Sequence, residues 1–117
     1  MSAQAQTFAV SVAERDRGIP WVTVQGDVDM STAPQLEQAL DDVHRRFRQV
    51  ATLDFADLRF IDSSGLRVLL LAARREHRAG RRLRVVNVIP QVRRLFGLVA
   101  LDQSLDLQRN AARPGDG

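Results

Sequence analysis

The sequence contains no cysteine, no lysine and no tyrosine, and it has a single tryptophan. Without cysteine the chain forms neither disulfides nor thiolate metal sites, which suits a reducing compartment. The longest apolar run, VLLLAA at 68–73, is far too short to span a bilayer, and the first residues do not have the pattern of a signal peptide. We therefore expect a cytoplasmic protein without membrane insertion.

Arginine supplies all 17 basic residues, and eleven of them fall between Arg45 and Arg84. A concentration of this kind can attract nucleic acid or acidic lipid. However, one tryptophan and no tyrosine leave little aromatic surface on which bases could stack. Because many of these arginines flank predicted helices, a solvated arginine face is favoured, and no direct contact with nucleic acid is expected.

The length of the chain, 117 residues, fits one globular domain, and its 44% hydrophobic and 26% charged residues are an ordinary balance for one. The two ends are polar or rich in small residues, so residues 1–7 and 109–117 are predicted to be disordered. The domain is expected to span residues 8–108.

Hydrophobic periodicity predicts strands and helices along the chain. Apolar residues at every second position predict two strands joined as a hairpin, over 8–12 and 21–26. Short apolar runs rich in β-branched residues predict strands over 50–55 and 83–88. Helical spacing of apolar residues predicts helices over 33–48, 66–80 and 90–101. A connection that keeps Leu58, Phe60 and Ile61 available for burial is expected over 56–61, and a last short strand or turn over 102–107.

The order of these elements predicts the fold class. Strand–helix–strand units with short links imply parallel pairing and right-handed crossovers, whereas the leading hairpin adds an antiparallel pair. The predicted fold is α/β, with a mixed sheet of four to five strands and about four helices packed on it.

Capping residues support two of the helix boundaries. Thr32 is a predicted N-cap, with Pro34 in the first turn and Gln35 placed to complete a capping box. Gly80 is a predicted stop after the second helix, because glycine readily adopts the left-handed conformation found there.

The segment IDSSGL, residues 61–66, lies between a predicted strand and a predicted helix. Asp and Ser are preferred N-cap residues, so capping is one explanation for Asp62 and the serines that follow it. A helix N-terminus also favours phosphate, and a phosphate on Ser63 would add about −1.5 to −2 charges beside Asp62. Ser63 is therefore a candidate for a modification that changes a binding partner and leaves the fold intact.

A second acidic segment, GDVDMS at 26–31, lies at the end of the second predicted strand. If this strand lies beside the one that leads to Asp62, then Asp27 and Asp29 share an edge of the sheet with Ser63. The alternative is that both aspartates are turn residues that help to start the first helix.

The sequence offers little for catalysis, cofactors or metals. The two histidines, His44 and His77, lie in the middle of predicted helices and away from Ser63, so a Ser-His-Asp arrangement is disfavoured. The glycines and the lysine of a phosphate-binding loop are missing. Paired aspartates without a nearby histidine or cysteine make a weak metal site. We expect a protein that is not an enzyme and has neither cofactor nor metal.

Three blocks of the sequence resemble the STAS domains, specifically the bacterial anti-sigma factor antagonists. The blocks are VQGDVDMSTAPQL (24–36), LDFADLRFIDSSGLRVLL (53–70) and PQVRRLFGLVAL (90–101). With the spacing between them, the resemblance covers about residues 8–108, and the middle block is the most specific.

The resemblance implies a regulatory module that exchanges partners. The unphosphorylated antagonist binds an anti-sigma factor, a serine kinase with a histidine-kinase-like ATPase fold, and thereby releases a sigma factor. The kinase phosphorylates the serine directly after the aspartate, which is Ser63 here, with Ser64 as the alternative. The modified antagonist dissociates, and a serine phosphatase restores it.

The resemblance also assigns the partner-binding residues, which are Asp27, Asp29, Asp62, Ser63, Ser64, Gly65 and Arg67. Arg67 departs from the small residue common at its position, and its charge would partly offset a phosphate on Ser63. A second possibility is a STAS subunit of a membrane transporter or of a sensory scaffold, which acts without phosphorylation. Nucleotide binding near Ser63 is disfavoured because the three carboxylates would repel phosphates.

Overall fold

The computed structural model describes residues 8–108, and the two terminal segments predicted to be disordered, 1–7 and 109–117, lie outside this range. The strands are Ala9–Arg15 (β1), Ile19–Val28 (β2), Thr52–Asp54 (β3), Leu58–Ile61 (β4), Arg84–Val86 (β5) and Asp106–Leu107 (β6). The helices are Ala33–Arg46 (α1), Ser63–Arg78 (α2) and Pro90–Leu98 (α3). Two short 3-10 turns cover Asp16–Gly18 and Leu101–Gln103.

The strands form one mixed sheet in the order β1-β2-β3-β5-β6, with β4 paired to the end of β2. The predicted hairpin is confirmed, because β1 and β2 are antiparallel, with Val12 opposite Val22. All other pairs are parallel, as the strand–helix–strand units predict. The α/β class and the mixed sheet are therefore confirmed.

The predicted numbers of strands and helices are wrong. Within residues 8–108 there are six strands and three α-helices, against four to five strands and about four helices expected. The expected connection over 56–61 contains β4, which continues along the same edge of β2 after a break. The carboxylate of Asp54 accepts the N–H of Ala56 at 3.0 Å, and this turn interrupts the strand between β3 and β4. Near the C-terminal end of the described chain, Leu101–Gln103 is only a 3-10 turn.

The core lies between the sheet and the apolar faces of the helices. Each helix buries one apolar stripe. Leu36 on α1, Leu69 on α2 and Phe96 on α3 belong to these stripes and are fully buried. These stripes pack with fully buried sheet residues such as Val22 and Leu53. Burying one such side chain stabilises the fold by roughly 1.5–3 kcal/mol.

The boundaries of the helices bear on the site. Thr32 is the N-cap of α1, but the capping box with Gln35 does not form, since the Thr32 side chain makes no cap hydrogen bond. Its hydroxyl is used inside the preceding loop, where it donates to the carbonyl of Asp27 at 2.8 Å. Gly80 follows the end of α2 with φ of 77°, which confirms the predicted stop. Helix α2 begins at Ser63, three residues before the predicted start.

No helix in the described part of the chain combines the length and apolar character needed to cross a membrane.

Candidate functional site

The two acidic segments of the sequence lie side by side at one edge of the sheet. Strands β2 and β4 are parallel, with Val28 paired to Ile61. One residue further on, the N–H of Asp62 donates to the carbonyl of Val28 at 3.0 Å. Because parallel strands end at the same edge, the loop after β2 and the start of α2 emerge next to each other. The structure thus brings the segment that holds Asp27 and Asp29 beside Asp62.

Asp62 is the N-cap of α2. Its backbone is extended, and its carboxylate Oδ1 accepts the N–H of Ser64 at 2.8 Å and that of Gly65 at 3.3 Å. These bonds satisfy two of the N–H groups that a helix start leaves without intrahelical partners. Capping is therefore an observed role of Asp62, as the first interpretation of the segment predicts.

Gly65 allows α2 to approach the sheet closely. The residue is buried, and a Cβ atom at this position would lie 2.6 Å from Cγ1 of both Ile61 and Val28. Contacts this short are not tolerated, so only glycine fits between α2 and the ends of β2 and β4. This packing explains the glycine, whereas a role for Gly65 in binding a partner stays a prediction.

Ser63 is exposed and is the first residue of α2, whereas Ser64 is half-buried. Arg67 is also exposed, and it lies four residues after Ser63 on the same face of the helix. Of the two serines, Ser63 offers the more accessible hydroxyl. A positive side chain therefore lies one helical turn below that hydroxyl.

Asp29 organises the loop after β2. Its Oδ1 accepts the hydroxyl of Ser31 at 2.7 Å, the N–H of Ser31 at 2.9 Å and the N–H of Thr32 at 3.1 Å. These bonds, the Ser31 hydroxyl first, hold the pKa of Asp29 below its ordinary value because they favour the ionised carboxylate. The alternative interpretation as a turn residue therefore holds for Asp29, which also keeps its negative charge. Asp27 is half-buried beside it.

Two exposed apolar side chains at this edge were missed by the sequence analysis. Met30 follows Asp29 in the loop and is 79% exposed, and Phe60 on β4 is 49% exposed. Phe60 was expected to be available for burial, which is wrong. Arg59 is skipped where the register between β2 and β4 shifts, so Phe60 pairs with the half-buried Asp27. The sequence does contain a signal for Met30, because a methionine inside the polar turn GDVDMST is expected to be exposed.

The histidines lie away from the site. His44 on α1 contacts the buried Glu76, with 2.7 Å between Nδ1 and Oε2. His77 is exposed in the last turn of α2, at the opposite end of the helix from Ser63. Within residues 8–108, no group of three or more metal-ligating side chains is found.

Comparisons with known proteins agree with this architecture. A family model described as "Mlab, STAS domain" matches residues 12–109. The anti-sigma F factor antagonist of Paenibacillus polymyxa is 30% identical over 98 residues, which cover 83% of this chain and 84% of that protein. The anti-sigma-B factor antagonist of Listeria monocytogenes is 24% identical over 101 residues, or 86% of this chain and 89% of that protein.

Solved structures give the same result. An anti-sigma factor antagonist from Mycobacterium paratuberculosis matches with a TM-score of 0.72 at 30% identity, over 92% of this chain and 89% of that chain. The phosphorylated form of the Bacillus cell fate determinant SpoIIAA matches with a TM-score of 0.70 at 19% identity, over 88% and 92% of the two chains, which supports the fold alone. The fold is that of a small α/β domain in which one mixed sheet packs against three helices. The chain belongs to the STAS domain family, as the resemblance indicates.

Proposed function

We propose that this protein is an anti-sigma factor antagonist that acts in the cytoplasm by binding, not by catalysis. In its unphosphorylated form it binds an anti-sigma factor and so releases a sigma factor. The support is the identity of about 30% with an anti-sigma F factor antagonist and with a solved anti-sigma factor antagonist. The alternative, a STAS subunit of a transporter or scaffold that acts without phosphorylation, has less support among these relatives.

The proposed switch is phosphorylation of Ser63 by the anti-sigma factor, acting as a serine kinase with a histidine-kinase-like ATPase fold. A serine phosphatase reverses the modification. The observation that carries this proposal is the exposed hydroxyl of Ser63 at the first position of α2, directly beside Asp62. Ser64 is the alternative acceptor, but it is half-buried and a kinase reaches it less easily.

The electrostatics of the edge explain how a phosphate could release the partner. The helix dipole of α2 stabilises negative charge at its N-terminus, and Arg67 lies one turn away, so the fold tolerates the phosphate. The partner, in contrast, meets about two further negative charges beside Asp62 and the ionised Asp29. A partner surface that fits the uncharged hydroxyl loses affinity, since mismatched charges at an interface cost several kcal/mol.

The proposed binding face combines charge and apolar surface. Asp27, Asp29 and Asp62 supply negative charge, while Met30 and Phe60 supply exposed apolar side chains at the same edge. Large apolar side chains in a small contact area commonly carry most of the binding energy. The anti-sigma factor is therefore expected to offer an apolar pocket for Met30 and Phe60, with basic groups opposite the loop after β2 and an uncharged surface opposite Ser63.

Phosphorylation of variants by the partner kinase tests the site. With the purified anti-sigma factor and ATP, Ser63→Ala is expected to abolish phosphate incorporation, because the exposed acceptor hydroxyl is removed. The matched control, Ser64→Ala, is expected to be labelled at a rate close to that of the wild type. Labelling of Ser63→Ala at the wild-type rate would show that Ser63 is not the acceptor.

A further inference from the structure

A basic groove lies between the second half of α2 and the segment that precedes β6. Its volume is about 530 Å³, and its lining includes Arg74, His77, Arg78, Arg82, Gln103 and Ser104. Within the described chain, no aspartate or glutamate lines this groove. Three guanidinium groups and one imidazole therefore surround a single concave surface.

The described part of the chain offers no acidic partner to the arginines that α2 contributes to the groove. Elsewhere in the fold, Arg75 pairs with Asp41 at 2.6 Å and Arg81 pairs with Glu76 at 2.7 Å. Among residues 8–108, Arg74 and Arg78 take part in no ion pair. Positive charges gathered in a concavity repel one another, and a multivalent anion bound there would relieve that repulsion.

Arg82 gives the groove a fixed wall. Its Nη2 donates to the carbonyl of Gln103 at 2.8 Å and to that of Leu105 at 2.9 Å, so the guanidinium is held in place. Arg74 and Arg78 lie one helical turn apart on α2 and face the same groove. Part of the site is thus ordered before any ligand arrives, which lowers the entropic cost of binding.

The chemistry of the lining indicates the class of ligand. The planar fork of an arginine matches the oxygens of a phosphate group, and several forks suit a ligand with several such groups. The volume fits a small molecule, and among the described residues no Phe, Tyr or Trp lines the groove to stack on a base. We propose that this groove binds a small ligand carrying two or more phosphate groups, recognised through those groups.

The groove is separate from the partner-switching site. Helix α2 begins at Ser63 and ends at Arg78, so about 22 Å of helix separates the two ends. Binding in the groove therefore does not depend on the proposed phosphorylation, and either proposal can fail alone.

Calorimetric titration of the full chain with inorganic triphosphate, at about 0.15 M salt to screen weak surface attraction, tests the groove. Saturable one-to-one binding is expected. In the double variant Arg74→Gln and Arg78→Gln, the affinity for triphosphate is expected to fall at least tenfold. The control double variant, Arg46→Gln and Arg48→Gln, removes two exposed charges at and just after the C-terminal end of α1. Its affinity for triphosphate is expected to differ from that of the wild type by less than twofold.

Vesicles of phosphatidylcholine doped with cardiolipin, a lipid with two phosphates, distinguish a membrane source from a free ligand. If the wild-type protein binds the vesicles but not free triphosphate, and only the Arg74→Gln and Arg78→Gln double variant loses vesicle binding, the proposal is supported with a lipid headgroup as the ligand. Equal weakening in both double variants, or no binding to either probe, overturns it. Binding of a glutamate-rich peptide in the groove, without binding of either phosphate probe, assigns the surface to a protein partner and also overturns it.

Discussion

The carboxylate of Asp29 organises the loop after β2 and also keeps a negative charge at the proposed binding face. The hydrogen bonds from Ser31 and Thr32 favour the ionised form of the Asp29 carboxyl, because a carboxylate is the stronger acceptor. The folded-state pKa therefore lies below the ordinary value of 3.8, so the contribution of Asp29 to stability is present above that value and is lost as the pH falls through the lowered pKa.

An NMR titration of the backbone amides of Ser31 and Thr32 tests this dual role. Both amides are expected to shift together with a midpoint below 3.8, because the protonated carboxyl of Asp29 is a weaker acceptor than the carboxylate. In Asp29→Asn, which lacks the titrating carboxylate, the transition is expected to disappear. A midpoint at or above 3.8 in the wild-type protein would contradict the assignment.

At the scale of elements, the sequence predicts best where periodicity and packing agree. Helices α1, α2 and α3 follow from the spacing of their apolar residues, and β1 and β2 follow from alternation. Strand β4 escapes prediction because the turn at Asp54 is built by a buried carboxylate, which also accepts the Trp21 indole N–H at 3.2 Å. That hydrogen bond joins residues 33 positions apart, so the local sequence pattern around Asp54 does not predict it.

The second half of α2 illustrates the same limit. The segment ARREHRAG (73–80), which includes the end of α2, has the composition of a solvated helix end. Nevertheless, Glu76 is only 5% exposed. Glu76 is held by His44 on α1 and by Arg81 after α2, a pairing that appears only once the helices pack. The position of Asp62 and Ser63 at the start of a helix was easier to predict, because the two residues lie next to each other in the sequence. The exposure of Met30 and Phe60 depends on loop geometry and on a register shift.

The packing of α2 on the sheet is tested with Gly65→Ala. The added methyl group would lie 2.6 Å from Val28 and Ile61, and overpacking of this kind typically costs about 1–3 kcal/mol. The matched control is Gly97→Ala in α3, where the nearest atom is 3.8 Å away. A gain of about 0.5–1 kcal/mol is expected there from helix propensity. Equal free energies of unfolding for the two variants, measured in urea, would refute the close approach of α2.

At the scale of the molecule, charge is distributed along α2. The N-terminal end of the helix lies beside Asp27, Asp29 and Asp62, whereas the C-terminal half lines the basic groove with Arg74 and Arg78. The net charge of +3 does not indicate this separation, because it sums the charges over the whole sequence. The proposed binding face and the basic groove lie at opposite ends of one helix, so the two proposed ligands would bind without overlap.

The apolar part of the proposed binding face is tested with Met30→Ala and Phe60→Ala. Met30 is 79% exposed, so Met30→Ala is expected to change the free energy of unfolding by less than about 0.5 kcal/mol. Phe60 is 49% exposed, so Phe60→Ala is expected to lower it by about 1 kcal/mol. Affinity for the anti-sigma factor is expected to fall about tenfold for at least one variant, which corresponds to about 1.4 kcal/mol. Leu98→Ala on α3 removes an apolar side chain of similar exposure, 78% against 79% for Met30, and serves as the control. Loss of affinity in the control alone would place the interface elsewhere.

Calorimetric measurement of anti-sigma factor binding by the unmodified protein and by protein phosphorylated at Ser63 tests the central claim most directly. Circular dichroism of the two forms is expected to be the same, because the N-terminus of α2 accommodates the phosphate. The phosphorylated form is expected to bind at least about tenfold more weakly, a difference of about 1.4 kcal/mol. Affinities that agree within twofold, with both forms folded, would contradict the proposed switch.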